Sequence, residues 1–353
     1  MSGPPPEVSA VVVTYRTSAE CGECVRSLRA AFEAESIAGE IVLVDCASGP
    51  DEAAKLALLA ADVLLPLPEN RGYAGGLNAG LARARGRILL LCNADVVFFP
   101  GAVGELLGAI RDPRVGAAAP RASWDAKSRI LLPPGDPTGF FRELSRLTAG
   151  RWPRLDERRF AAFARECVRL WTKGGAARQL VGVVLAARRD VFDRIGRFDE
   201  RFPFEYEETE WEERVRAAGL RLQFVAEARI RHLWGRSASR DPETPARREL
   251  SRRAYRARRY GPLGRRLLEA AQGISRPPRA VPVAAPEVPA REGAWVALSP
   301  NRSRTPFAGA ALDADFRLPS EIRAELAPGP WYLTVFRGRD GAPLETRVWE
   351  KPA

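Results

Sequence analysis

Short apolar runs alternate with helix-like segments through the first 120 residues, and this alternation restricts the chain to few folds. The runs Val8–Tyr15, Ile41–Asp45 and Arg87–Asp95 are too short for buried helices, and the first two are rich in β-branched residues. The segments between them are Cys21–Glu35, Glu52–Ala60, the weaker strand Val63–Leu67 and Gly72–Arg85. Apolar strands separated by helices predict an α/β domain with a mostly parallel sheet covered on both faces.

Polar side chains occur where the predicted strands end. Thr14 closes the first strand, Asp45 the second, and Asn93 and Asp95 the strand that begins at Arg87. Ligands of such sheets bind in the crevice beyond the carboxyl ends of the strands. We therefore expect a ligand site where these four residues meet.

Several classes of protein are disfavoured by the sequence. No apolar run approaches the roughly 20 residues of a membrane helix. The segment Met1–Glu7 is proline-rich and lacks the basic and apolar parts of a signal peptide. Cys21 and Cys24 have CxxC spacing without the further ligands of a zinc site, so reduced cysteines are favoured over a redox pair. We expect a cytoplasmic protein.

The net charge of +11 is carried by the chain after residue 120. Nearly all of the basic residues are arginines, and alanine, glycine and proline are also frequent. No recognised nucleic-acid motif accompanies them, so no nucleic-acid partner is expected.

The later part of the chain is more varied. Residues 121–178 are irregular, with basic helical pieces at Gly139–Thr148 and Asp156–Trp171. A helix is expected over Glu207–Ala218 and a strand over Leu220–Ala226.

Three further segments follow. A basic helical segment, 243–274, precedes a Pro/Ala-rich linker, 275–290. Alternating residues on both sides of the turn Arg339–Ala342 predict a hairpin. Residues 291–353 are therefore expected to form a small, mostly β appendage.

Five motifs follow one another in an order that resembles glycosyltransferase family 2. They are VSAVVVTYR from Val8, IVLVDCAS from Ile41, ENRGYAGGLNAGL from Glu69, LLLCNADV from Leu89 and GRFDERFPFEYEETEW from Gly196. A sixth, RHLWGRS, begins at Arg231. The resemblance covers residues 8–240 and is to rhamnosyltransferase-like members. It implies a GT-A-type nucleotide-sugar-binding catalytic domain over residues 1–242.

The resemblance assigns a group of residues to the sugar-nucleotide donor. They are Thr14, Tyr15, Arg16, Asp45, Arg71, Gly75, Gly76, Asn78, Asn93 and Asp95. Asp45 is expected to accept the N3–H of a uracil or thymine ring, although an Asp there could merely cap the next helix. Glycines before a helix let the backbone approach phosphates. The family usually has Asn at the positions of Arg16 and Cys46.

A divalent cation, Mg²⁺ or Mn²⁺, is implied by the same resemblance. Asn93-Ala94-Asp95 stands where the family carries its Asp-any-Asp motif, so Asp95 is the expected direct ligand. Asn93 is neutral, so it would bind the cation weakly or through a water molecule. His232, the only histidine, is the expected second ligand. The alternatives are a turn-forming Asp and a histidine without a ligand role.

Four carboxylates crowd the segment Glu205–Trp211. By the resemblance Glu208 is the general base, with Glu207 and Glu210 in support. An acidic helix start is the alternative interpretation. Crowding should raise the pKa of one carboxyl. On the acceptor side we expect Asp199 and Trp211, although Trp211 could equally be a core residue.

The stretch Ala246–Ala270 contains nine arginines interleaved with apolar residues. This pattern is suited to peripheral contact with an anionic membrane surface, here the inner face of the membrane. A helix packed on the catalytic domain is the alternative, and a homodimer also remains open.

These expectations define an inverting transfer from a dTDP- or UDP-sugar, with rhamnose as a candidate, to a saccharide or lipid-linked saccharide in bacterial surface polysaccharide assembly. Asn93 and Glu210, which depart from the family pattern, keep open an inactive carbohydrate- or nucleotide-binding protein on the same fold. A sugar-nucleotide pyrophosphorylase would need a glycine-rich basic loop after the first strand, which the chain lacks.

Overall fold

The computed structural model describes residues 5–233 and 241–352, and these form two compact units. The first unit comprises Met1–Arg121 and Gly174–Arg259, and the second comprises Ala122–Lys173 and Tyr260–Ala353. This division differs from the expected domain 1–242, because residues 122–173 group with the C-terminal residues.

The first unit begins with the predicted alternation. Its parallel strands are β1 (Val8–Thr14), β2 (Gly39–Asp45), β3 (Val63–Pro66) and β4 (Ile88–Asn93). The helices between them are α1 (Ser18–Ala34), α2 (Pro50–Leu56) and α3 (Gly72–Arg83). Every residue of β1 is buried, as expected for a strand covered on both faces.

The rest of the first unit adds shorter and antiparallel strands. Its elements are β5 (Val96–Phe98), α4 (Ala102–Ile110), β6 (Val115–Ser123), β7 (Gly175–Ala177), β8 (Val184–Arg188), α7 (Arg189–Ile195), α8 (Glu207–Ala217) and β9 (Arg221–His232). The sheet order is β3-β2-β1-β4-β8-β6-β9-β5, with β7 also pairing with β9. The α/β class is confirmed, with parallel pairing from β3 to β4 and antiparallel pairing of β8 with β4.

The last strand of this sheet is longer than expected. We predicted that it would end at Ala226, whereas β9 continues to His232. The reason is pairing with β5, which places Val96 opposite His232. A three-residue strand directly after Asp95 is too short to be recognised from its sequence.

The second unit combines helices with a small sheet. Its helices are α5 (Phe140–Leu147), α6 (Pro153–Lys173) and α10 (Ser320–Glu325). Its strands are β10 (Val281–Val283), β11 (Glu287–Val288), β12 (Ala294–Ser299), β13 (Ala308–Ala311), β14 (Phe316–Arg317), β15 (Gly329–Arg337) and β16 (Pro343–Lys351). Five of them form a sheet in the order β10-β16-β15-β12-β13.

Aromatic packing explains why residues 122–173 join this unit. Phe160 of α6 lies 5.5 Å from Phe307 and 5.7 Å from Phe336, measured between ring centroids. Trp171 stacks on Trp295 at 5.5 Å. Such aromatic contacts join residues more than 100 positions apart, so no local pattern reports them.

Two expectations for the C-terminal residues have different outcomes. The hairpin around Arg339–Ala342 is confirmed, since β15 and β16 pair antiparallel. The linker 275–290 is a correction: β10 lies within it and pairs in parallel with β16. Backbone pairing at the edge of the sheet orders a stretch that composition alone describes as a linker.

The basic segment forms the helix α9 (Thr244–Ala270), which is interrupted at Gly261. Gly261 has φ 68°, a left-handed value that glycine tolerates, and Pro262 follows it. None of the helices in residues 5–233 and 241–352 has both the length and the apolar character needed to cross a membrane.

All five cysteines are buried and unpaired. Burial raises the pKa of the Cys21 thiol to about 12, with a further contribution from the charge of Asp45. A thiol in this state is a poor nucleophile and a poor redox group. The structure thus confirms that both cysteines of the CxxC pair are buried, and it joins neither in a disulfide.

Candidate functional site

The ends of the parallel strands meet as expected. Thr14 pairs with Asp45 across β1 and β2, and Val13 pairs with Asn93 across β1 and β4. Thr14 and Asp45 are buried, and Oδ1 of Asp45 accepts the backbone N–H of Ser48 at 3.1 Å. One hydrogen bond leaves acceptor capacity on this carboxylate.

Two neighbouring cavities open at this edge of the sheet. The larger, of about 270 Å³, we call the acidic cavity; the smaller, of about 60 Å³, we call the strand-end cavity. The acidic cavity is lined by Val13, Tyr73, Asn93, Asp95, Val181, Gly182, Val183, Phe204, Glu205, Glu207, Glu208, His232 and Arg248. The strand-end cavity is lined by Val13, Thr14, Tyr15, Cys46, Asn70, Gly72, Tyr73, Pro203, Phe204, Asp241, Thr244 and Arg247.

Asp95 and His232 face each other in the acidic cavity. Nε2 of His232 lies 3.3 Å from Oδ1 of Asp95, and both side chains are more than nine-tenths buried. The pairing of β5 with β9 fixes this approach, and the backbone N–H of Leu233 donates to the carbonyl oxygen of Asp95 at 2.9 Å. The rest of the RHLWGRS motif lies outside the described residues.

This pair fits a divalent cation. Oδ1 of Asp95 is buried and accepts no hydrogen bond from any described residue, and a buried carboxylate oxygen without a partner is costly. Carboxylate and imidazole are suitable donors for Mn²⁺. Within the described residues there is no cluster of three or more His, Cys, Asp or Glu side chains arranged for a metal. Asn93 lines the same cavity, where its amide oxygen is a further candidate ligand.

The start of α8 brings Glu207 and Glu208 into the same cavity. Glu205 and Tyr206 have φ of 63° and 72°, so two successive left-handed residues turn the chain immediately before the helix. Gly182 provides the space for Glu208: a Cβ there would lie 2.9 Å from Cγ of Glu208. A larger residue at position 182 would therefore displace Glu208.

Burial changes the acidity of these two carboxyls. It raises the pKa of Glu208. Burial, and then the charge of Glu208, raise the pKa of Glu207 well above its ordinary value. Two close buried carboxyls resist double ionisation, so Glu207 tends to keep a proton while Glu208 carries the charge. This is the arrangement expected of a general base beside a neutral partner.

The structure places Glu210 and Trp211 away from the acidic cavity. Glu210 is buried and bound by Arg214 at 2.9 Å and by Arg258 at 2.5 Å, so it anchors the helix rather than facing the acidic cavity. Trp211 is a correction: it is fully buried and stacks on Phe192 at 4.6 Å, so it cannot hold an acceptor.

Asp199 does not line either cavity and is held by two arginines. Arg201 binds its carboxylate at 2.6 Å, and Arg258 lies 3.5 Å away. The bond from Arg201 is the main reason that the pKa of Asp199 is lowered. An acceptor role for Asp199 remains a prediction.

The glycine-rich loop has a packing role in the structure. A Cβ on Gly76 would lie 2.7 Å from Cγ1 of Val13, so this glycine lets α3 lie directly on β1. A Cβ on Gly75 would meet Arg71, whose guanidinium binds Glu200 at 2.5 Å. Gly75, Gly76 and Arg71 are not among the residues that line either cavity.

Asn78 is likewise committed within the protein. Its Nδ2 donates to the carbonyl oxygen of Phe198 at 2.9 Å and to Oε1 of Glu200 at 3.0 Å. Its Oδ1 accepts the backbone N–H of Phe198 at 3.1 Å. The side chain therefore joins α3 to the segment before α8, and Asn78 lines neither cavity.

Tyr15 and Arg16 flank the end of β1. Tyr15 lines the strand-end cavity, and the Arg16 guanidinium lies 4.9 Å from the centre of its ring. The backbone N–H of Arg16 donates to Oγ of Ser48 at 2.8 Å. These contacts stiffen the edge of the strand-end cavity.

Two arginines of α9 line the cavities, and we did not predict them. Arg247 lines the strand-end cavity and Arg248 the acidic cavity, where its Nε donates to Oε1 of Glu205 at 2.9 Å. Because the basic stretch was interpreted as a membrane surface, its approach to the site was missed. The buried Tyr255 and the Arg259–Glu213 ion pair at 3.1 Å show that this part of α9 packs on the first unit.

The fold and the cavities define an α/β protein with a site at the carboxyl edge of parallel strands, formed by acids, an imidazole and arginines. Residues 9–155 match the model described as Glycosyl transferase family 2. Over this segment, which is less than half of the chain, the protein is similar to that family.

Two curated relatives are each named N-acetylglucosaminyl-diphospho-decaprenol L-rhamnosyltransferase, from Mycobacterium tuberculosis strains CDC 1551 / Oshkosh and ATCC 25618 / H37Rv. Each is 29% identical over 199 residues, which are 51% of this chain and 61% of the relative. The matched region thus spans about three fifths of the relatives' length.

Two solved structures are also similar. The mannosyltransferase PcManGT from Pyrobaculum calidifontis, in complex with GDP-Man and Mn²⁺, has 18% identity and a TM-score of 0.46 over 76% of this chain and 74% of its own. GalNAc-T7 with UDP, GalNAc and Mn²⁺ has 17% identity and a TM-score of 0.47 over 65% of this chain and 43% of its own. At these scores neither structure supports an inference about this site.

Proposed function

We propose that this chain is an inverting glycosyltransferase that moves a sugar from a nucleoside diphosphate to a hydroxyl of a saccharide acceptor. The observation that carries the proposal is the acidic cavity, where Asp95 and His232 share one space with Glu207 and Glu208. One side of this space suits a diphosphate with its cation, and the other supplies a base. The similarity of residues 9–155 to glycosyltransferase family 2 supports the same conclusion.

Glu208 acts as the base in this proposal. It takes the proton of the acceptor hydroxyl while that oxygen attacks the anomeric carbon in line with the leaving diphosphate. Its raised pKa makes it a stronger base than an exposed glutamate, and Gly182 leaves room for it in the cavity.

The leaving diphosphate is held opposite this base. Arg248 presents a guanidinium to the acidic cavity, and Arg247 presents one to the strand-end cavity. Both can bind phosphate oxygens through charge-assisted hydrogen bonds. Asp95 and His232 would hold Mg²⁺ or Mn²⁺, which supplies neutralisation of the charge that develops on the diphosphate.

We place the nucleotide base of the donor at the strand-end cavity. This cavity shares Val13, Tyr73 and Phe204 with the acidic cavity, so one sugar nucleotide could extend through both. Asp45 lies at the adjoining strand end and retains an acceptor oxygen for the N3–H of uracil or thymine. A dTDP- or UDP-sugar is therefore the proposed donor, with dTDP-rhamnose first to be tested because of the names of the relatives.

The acceptor is proposed to be a saccharide on a lipid diphosphate. The names of the two relatives describe such an acceptor. Leu263 and Leu267, one helical turn apart in the second part of α9, are 72% and 50% exposed and would provide peripheral contact with the membrane.

A donor screen tests the proposal. UDP-, dTDP- and GDP-sugars are incubated with the full chain and a diphosphate-linked acceptor, with and without Mn²⁺, and release of nucleoside diphosphate is measured. We expect release from a dTDP- or UDP-sugar that requires both acceptor and cation. Binding of these donors without turnover would instead identify an inactive binding protein, and release from GDP-sugars alone would contradict the role of Asp45.

A further inference from the structure

The second unit contains a cavity that the proposed transfer does not use. Its volume is about 500 Å³, and arginine side chains dominate its charged lining: Arg276, Arg279, Arg302 and Arg304. We call it the arginine cavity. All of its lining residues belong to the second unit.

The carboxylates that line this cavity are mostly neutralised by other groups. Asp156 binds Arg159 at 3.1 Å and accepts the backbone N–H of Gly150 at 2.6 Å. Glu345 binds Arg347 at 2.8 Å. Glu157 is the one lining carboxylate without an ion pair in the described part of the chain. The arginines therefore exceed the carboxylates that could balance them.

Arg304 is the one buried arginine among these four. It is 7% exposed, and its φ of 61° is left-handed. Among the described residues its one hydrogen bond to a side chain goes to the neutral Oγ1 of Thr346 at 3.2 Å, and its guanidinium lies 4.9 Å from the centre of the Phe160 ring. The charges of Asp156 and Glu157 favour its charged form, but burial outweighs them and lowers the pKa of Arg304. A buried guanidinium without a direct ion pair costs free energy, which a bound anion would offset.

The walls of the arginine cavity are fixed by backbone contacts. The N–H of Arg276 donates to the carbonyl oxygen of Ala149 at 2.7 Å, and Nη1 of Arg302 donates to that of Ser275 at 2.8 Å. A Cβ on Gly150 would lie 2.4 Å from the carbonyl oxygen of Arg276. Arg276 and Arg279 are exposed and have no carboxylate partner within the described residues, so their guanidinium groups are available to a ligand.

We propose that the arginine cavity binds a phosphate-bearing anion, with Arg304 as its buried partner and Arg276 and Arg279 as its outer ones. Arginine binds phosphate oxygens in a bidentate geometry, which a cavity lined by several guanidinium groups favours. The phosphate could belong to a soluble phosphate compound or to a lipid headgroup. This inference does not depend on the proposed transferase activity.

Calorimetric titration of the full chain with inorganic pyrophosphate tests the inference. EDTA is present so that no cation can bridge pyrophosphate to the carboxylates of the acidic cavity. We expect saturable binding that is at least about tenfold weaker in Arg304→Gln and in the double variant Arg276→Ala/Arg279→Ala. The control is Arg339→Ala, an exposed arginine of the same unit that does not line the cavity; its affinity should be unchanged.

The double variant keeps the test decisive if Arg304→Gln does not fold, since Arg276 and Arg279 are exposed. Absence of pyrophosphate binding by the unaltered chain overturns the proposal, and so does an equal loss in Arg339→Ala. A parallel titration with water-soluble dihexanoyl phosphatidic acid separates the sources. Tighter binding of this lipid than of pyrophosphate assigns the site to a headgroup, and weaker binding assigns it to a soluble phosphate.

Discussion

At the scale of single residues, the site depends on what neighbouring side chains leave unsatisfied. Asp95 retains a buried oxygen to which no described residue donates a hydrogen bond, whereas Asn78 uses both ends of its amide within the protein. Residue type and position in a motif do not distinguish these two situations. The hydrogen-bond partners do, and they separate residues available to a ligand from residues that hold the fold.

Replacing the proposed base tests its role directly. Glu208→Gln should lower kcat by about a hundred- to ten-thousandfold, because the amide cannot take the acceptor proton. Steady-state kinetics should show a nearly unchanged affinity for the donor. The exposed Glu227 serves as the control, and Glu227→Gln should leave kcat unchanged. Full activity of Glu208→Gln would refute the assignment.

The acidity of Glu208 predicts a pH dependence. Burial raises its pKa in the folded protein. We therefore expect kcat/KM to rise with pH, with a midpoint above the ordinary glutamate pKa of about 4.3. At lower pH the protonated carboxyl dominates, and it cannot act as a base. The profile should be measured at two saturating Mn²⁺ concentrations. If the midpoint shifts with the Mn²⁺ concentration, the pH dependence arises from protons that compete with the cation for its ligands, and the assignment to Glu208 is wrong.

At the scale of elements, the turn before α8 and the segment at Gly182 position Glu208, the proposed base. Neither could be predicted from sequence, because the left-handed conformations of Glu205 and Tyr206 belong to residue types that seldom adopt them. The strand alternation, in contrast, was readable because β1, β2 and β4 are buried on both faces.

The contact between Gly182 and Glu208 can be tested by adding one methyl group. Gly182→Ala should displace the Glu208 side chain and lower kcat, on the order of a hundredfold, with the fold retained. Gly108→Ala is the matched control, because nothing lies within 4 Å of a Cβ at this helical position. It should leave kcat unchanged and stabilise the protein by about 0.5–1 kcal/mol. Equal kinetics of the two variants would exclude a positioning role for Gly182.

At the scale of the whole molecule, the division into two units was not predictable. The motifs end near residue 240, and the segment 122–173 carries no pattern that connects it to residues beyond 290. The connection is made by aromatic side chains such as Phe160 and Trp171, whose partners are distant in sequence. Of the residues that the motifs assign to the donor, Thr14, Tyr15, Asn93 and Asp95 line the cavities, whereas Arg71, Gly75, Gly76 and Asn78 do not. The approach of Arg247 and Arg248 was found only in the structure.

Peripheral membrane contact is a prediction at this scale. The double variant Leu263→Glu/Leu267→Glu should reduce co-sedimentation of the chain with anionic vesicles several-fold, because it places charges on an exposed apolar strip. The exposed Leu58 provides the control variant Leu58→Glu, which should sediment as the unaltered chain does. Unchanged sedimentation of the double variant would rule out this contact.

The ion pair between Arg258 and the buried Glu210 bears on how the chain can be divided experimentally. Truncation where the recognisable motifs stop would remove Arg247, Arg248 and Arg258 together. It would leave the Glu210 carboxylate with one cationic neighbour fewer, and both cavities without an arginine. A fragment cut at that point would be expected to fold poorly and to bind donor weakly, so failure of such a fragment in an assay would say nothing about the activity of the intact chain.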